Sequence, residues 1–80
     1  MKMKPLFVRV EWDDDACVWV ATSDDVPGLA TEQDTMEGLI KKLKILIPEL
    51  LNANGITIGS EEVPFEILTR RFEFAQVNAS

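Results

Sequence analysis

The chain has 80 residues, too few for two hydrophobic cores, so residues 1–80 are expected to form a single domain. A net charge of −6 and a pI near 4.4 exclude the basic face with which a nucleic-acid-binding domain neutralises phosphates. They fit a basic protein partner or simple solubility. The balance of 46% hydrophobic and 28% charged residues is that of a folded chain and excludes a disordered one.

The N-terminal MKMKPLFV has two lysines but an apolar run too short for a signal peptide, and no stretch reaches the ~20 apolar residues of a membrane span. A soluble cytoplasmic protein is expected. From Leu6 to Trp12 apolar residues alternate, with Leu6, Val8, Val10 and Trp12 on one face and Phe7, Arg9 and Glu11 on the other. That is the period of a half-buried strand. Asp13 to Ala16 supply a polar turn, and Val18 to Thr22, rich in β-branched and aromatic residues, returns as the second strand of an antiparallel hairpin. A four-residue loop puts Trp19 on the face of Val10; a five-residue bulged loop puts Val18 and Val20 there. The second register gathers Val8, Val10, Trp12, Val18 and Val20 on one face. It is the expected one, and it leaves Trp19 beside Arg9 and Glu11. The lone Cys17 forms no intrachain disulfide and is expected to be a small buried strand residue.

Ser23, Asp24 and Asp25 break the second strand. Pro27 fixes φ, and Gly28 supplies the positive φ of a type II turn, so Leu29 to Gln33 can return as a third strand. Asp34 or Thr35 serves as N-cap, with a capping box in the Asp34–Glu37 spacing. Met36, Leu39, Ile40, Leu43, Leu46, Ile47, Leu50 and Leu51 then form a helical apolar stripe, with Lys41, Lys42 and Lys44 towards solvent. Pro48 predicts a kink or break just before it, and Gly55 a left-handed stop. Gly59 to Glu62 reads as an acidic turn. Phe65 to Phe74 is the last strand, with a change of parity at Arg70-Arg71 that marks a bulge or the strand's end, and Gln76 to Ser80 should fray. The order β-β-β-α-β defines an α+β domain with a small antiparallel sheet and one helix on one face. The uncovered face is a candidate for self-association as a dimer or higher oligomer.

The carboxylates cluster as Asp13-Asp14-Asp15 and Asp24-Asp25, oxygen ligands of the kind that hold Mg²⁺ in nucleases. Aspartate is also an ordinary turn former, and the spacing of an EF-hand loop is absent. With no histidine and no glycine-rich phosphate loop, no catalytic residue, cofactor or metal ligand is assigned. The candidate partner-binding residues are Trp19, as an apolar anchor, and Asp24 and Asp25, as acidic contacts at an exposed corner.

The segments WDDDACVWVATSDDVPGLATEQDT and LIKKLKILIPELLNANG resemble small HicB-like proteins, from about Phe7 to Gly55 and less distinctly through VPFEI. The TSDDVPGL corner and the helix start at Thr35 carry most of the likeness. The resemblance implies a degenerate, partial ribonuclease H-like fold without that fold's catalysis. It also implies an antitoxin that occludes a small basic HicA-like mRNA interferase. The C-terminal DNA-binding segment common in such antitoxins has no counterpart in this sequence, so no direct nucleic-acid binding is expected. The alternatives are a solitary homo-oligomeric HicB-like protein and a metal-dependent nuclease-like enzyme.

Overall fold

The computed structural model describes residues 4–56 and 62–78. Strands β1 (Leu6–Asp13), β2 (Val18–Thr22) and β3 (Ala30–Gln33) lead into helix α1 (Met36–Ala53), and β4 (Phe65–Arg70) closes the order β-β-β-α-β. The four strands form one sheet in the order β3-β2-β1-β4. β1 with β2 and β2 with β3 are antiparallel, whereas β1 and β4 are parallel. The sheet is therefore mixed, where an antiparallel one was expected. The cause is the helix: it carries the chain back along the sheet, so the strand after it restarts in the direction of β1.

One face of the sheet is covered. Val8, Val10 and Ala21 are buried beneath Leu39, Leu43, Ile47 and Leu51 of α1, and Val26 and Leu29 of the Pro-Gly corner close the core. The buried helical residues recur every fourth position, the stripe an amphipathic helix presents to a sheet. The expected break at Pro48 does not occur, since α1 continues through it to Ala53. Pro48 withholds one donor from the carbonyl of Lys44, an exposed residue that water can serve. Buried Leu43, Ile47 and Leu51 hold the helix down on both sides of it.

The ends of α1 are built by side chains and backbone together. Thr35 is the N-cap, its hydroxyl accepting from the Gly38 N–H at 3.0 Å; the alternative Asp34–Glu37 box is not used. At the other end Gly55, with φ of +72°, lets Gly55 N–H donate to Asn52 and Ile56 N–H to Leu51. That 5→2 and 6→1 pair is a Schellman stop, as the glycine foretold.

The hairpin register differs from the expected one. Asp13 pairs with Val18 and Trp12 with Trp19, leaving a four-residue loop from Asp14 to Cys17. Asp13 organises it: its carboxylate accepts from the N–H groups of Asp15 and Ala16, and its carbonyl from Cys17. Cys17 is exposed there with φ of +57°, not buried in a strand. A non-glycine residue in this region costs about 1 kcal/mol, so the loop is locally unfavourable. Burial outweighs it, because this register turns the Trp19 indole, able to bury roughly 150–250 Å², together with Ala21 towards the helix-covered side in place of Val18 and Val20.

Strand β4 stops at Arg70, so the parity change marks the strand's end. Residues 71–78 follow with no regular secondary structure and are exposed, while 79–80, the rest of the expected fraying tail, lie outside the described residues. The acidic turn expected at Gly59 to Glu62 lies outside them too, apart from Glu62. Among the described residues no helix is long and apolar enough to cross a membrane.

Candidate partner-binding surface

The face of the sheet away from α1 carries no element among the described residues. Cross-strand pairing assigns it: Phe7, Arg9 and Glu11 of β1, Val18 and Val20 of β2, and Glu66, Leu68 and Arg70 of β4. Phe7 and Leu68 on it are each half exposed. Trp19 is not on this face. It pairs with Trp12 on the helix side, which overturns its expected place beside Arg9 and Glu11. Val18 and Val20 stand where it was expected to be.

The acidic corner is built on β1. After Thr22 the backbone of β2 leaves the sheet, which would strand the N–H and C=O of Phe7 without a ladder partner. Two side chains replace the missing strand. Phe7 N–H donates to Asp25 Oδ2 at 2.8 Å, and the Ser23 hydroxyl donates to the Phe7 carbonyl. The same Ser23 oxygen accepts from the N–H groups of Asp25 and Val26. Pro27 and Gly28 then turn the chain, with Gly28 at φ of +82° and Leu29 N–H donating to Val26 at 3.1 Å, the expected type II turn. Asn54 at the end of α1 donates to Leu50 and Pro27 carbonyls, fastening the turn to the helix.

Within this corner the two aspartates do different work. Asp25 is committed to the backbone of Phe7. Asp24 is exposed, and its carboxylate makes no hydrogen bond or ion pair among the described residues. A shallow groove of ≈ 220 Å³ lies here, lined by Phe7, Arg9, Ser23, Asp24, Asp25 and Leu68. It brings together the apolar side chains of Phe7 and Leu68, the carboxylates of Asp24 and Asp25 and the guanidinium of Arg9.

A second cluster lies at the far end of the hairpin. The Trp12 and Trp19 rings meet edge to face at 5.1 Å, and the Arg71 guanidinium stands 4.7 Å from the centre of Trp12 and 5.6 Å from that of Trp19. Glu73 accepts from Arg71 Nε at 3.1 Å, and Asp14 accepts from the Trp12 indole at 2.7 Å. Arg70 and Arg71 thus point to opposite faces. Period-two counting from Thr69 would have found this, because Arg71 follows it on the helix side.

The two aspartate clusters sit at opposite ends of the hairpin, Asp13–Asp15 at its loop and Asp24–Asp25 beside Phe7. About 20 Å of strand separates them at ~3.3 Å per residue, so they do not converge on one cation. Among the described residues no group of three or more potential ligands is placed to hold a metal.

A family model described as "Domain of unknown function (DUF1902)" matches residues 5–79. The chain is also similar to a solved structure, that of the hypothetical protein TTHA1013 from the extremely thermophilic bacterium Thermus thermophilus. The identity is 44% and the TM-score 0.77, over 90% of this chain and 100% of that one. None of the curated proteins matches the chain significantly.

Proposed function

The chain belongs to the DUF1902 family of domains of unknown function, and within it we propose a HicB-like, antitoxin-type binding protein that acts without catalysis. Its partner is a small basic HicA-like mRNA interferase, blocked by steric and electrostatic occlusion. The observation that carries this reading is the groove at the acidic corner, where Asp24, without a partner among the described residues, borders the half-exposed ring of Phe7. A basic partner can neutralise Asp24 while covering Phe7, an apolar anchor rimmed by charge. The net charge of −6 adds long-range attraction, which raises the association rate and rejects acidic competitors.

Phe7 takes the anchor role expected of Trp19, whose ring is engaged with Trp12 and Arg71. Asp24 is the acidic contact, and Asp25 supports it by holding β1 and the corner together. The test is inhibition of RNA cleavage by a HicA-like interferase encoded beside this chain. Stoichiometric loss of cleavage with the wild type, and its return with Asp24→Lys, supports the reading. Undiminished cleavage at excess protein refutes it.

A further inference from the structure

Strand β4 is an edge of the sheet, with β1 on one side and nothing among the described residues on the other. Leu6 N–H donates to the Pro64 carbonyl at 3.0 Å, and this fixes the phase of the parallel ladder. The backbone groups of Glu66, Leu68 and Arg70 turn towards β1, so those of Phe65, Ile67 and Thr69 turn outwards. Edge strands are usually blunted by an internal proline, a bulge or like charges that repel a second copy. β4 has none of these. The side chains on its uncovered face read Glu66, Leu68, Arg70: an acid and a base placed symmetrically about an apolar centre that is half exposed.

We propose that two copies of this chain pair antiparallel along β4, with Leu68 on the two-fold axis, to make a continuous eight-stranded sheet. A two-fold interface must be complementary to itself. In this register Glu66 lies opposite the partner's Arg70 and Arg70 opposite the partner's Glu66. Ile67 and Thr69 exchange the outward hydrogen bonds with the partner's Thr69 and Ile67. Leu68 then meets the partner's Leu68 in a non-hydrogen-bonded pair, where side chains come closest. Phe72, 73% exposed and with its ring against Phe74 at 4.9 Å, comes opposite the partner's Pro64.

Neighbouring registers lack this match. Centring the pair on Ile67 sets Glu66 against leucine and Arg70 against proline, and centring it on Thr69 sets Arg70 against leucine. Centring on Arg70 or Glu66 opposes like charges directly. Edge pairing engages Leu68 at the β4 side of the groove and adds no strand over Phe7 or Asp24. The proposal deepens the expected self-association and is independent of the toxin reading, because its test uses this protein alone.

Sedimentation equilibrium of the purified chain should show a dimer. Glu66→Arg and Arg70→Glu should each weaken it about tenfold or more, since each places like charges opposite one another at two symmetric positions. The double exchange Glu66→Arg/Arg70→Glu should restore dimerisation to within about threefold. In a Cys17→Ser background, Leu68→Cys should cross-link on mild oxidation, because paired Cα atoms about 4.5 Å apart lie within disulfide reach. A wild-type monomer at every concentration overturns the proposal. So does a dimer indifferent to the single exchanges, a double exchange that fails to restore it, or a Leu68→Cys dimer that does not cross-link.

Discussion

Ser23→Ala is the perturbation that most directly separates scaffold from contact surface at the acidic corner. The hydroxyl donates to the Phe7 carbonyl and accepts from the N–H groups of Asp25 and Val26. Each such bond contributes about 0.5–1.5 kcal/mol, and an N–H left unpaired away from water costs more. Val26 is fully buried, so its N–H is the costly one, whereas Asp25 and Phe7 are exposed and water can replace part of what they lose. The expected loss is about 1.5–3 kcal/mol. For a domain of this size that lowers Tm by roughly 6–24 °C. Urea unfolding followed by the fluorescence of Trp12 and Trp19 measures it, with the midpoint falling and the m-value unchanged. Asp24→Ala is the control one residue away. Its side chain bonds to nothing among the described residues, so its effect should stay within about 0.5 kcal/mol. If Ser23→Ala costs no more than Asp24→Ala, the corner is not held by Ser23 and the reasoning fails.

Gly28→Ala should destabilise by about 1 kcal/mol in the same assay, because φ of +82° disfavours any side chain. The new Cβ would stand 3.7 Å from Leu50 Cδ2, an ordinary contact, so a loss well above ~2 kcal/mol would mean that crowding, not conformation, governs the site. Cys17→Gly should act in the opposite direction, raising stability by about 0.5–1 kcal/mol by relieving φ of +57° at an exposed position. A fall in Tm on that change would show that the Cys17 side chain supports the loop.

Elements with strong local signals were legible in the sequence, and those that depend on competing burial were not. Pro27-Gly28 and Gly55 demanded positive φ from residue chemistry alone, and both glycines adopt it. The stripe from Leu39 to Leu51 was equally plain, because its period matches the helix. The hairpin register was a contest between a strained Cys17 and the partial burial of the Trp19 indole, and no local rule ranks those terms. The helix running on through Pro48 likewise depends on Leu43, Ile47 and Leu51 being anchored in the core, a tertiary effect. At the corner, the Asp24-Asp25 cluster could be seen in the sequence but its division of labour could not. Only the side-chain bridge to Phe7, 18 residues earlier, shows that Asp25 is scaffold while Asp24 bonds to nothing among the described residues.

Affinity capture from the native lysate tests the central claim most directly, with the tagged wild type beside its Asp24→Lys variant and mass spectrometry of what is retained. The expected result is one small basic protein held in stoichiometric amount by the wild type and lost from the variant, with both baits equally folded. Recovery of the bait alone, or equal retention by both, would contradict it.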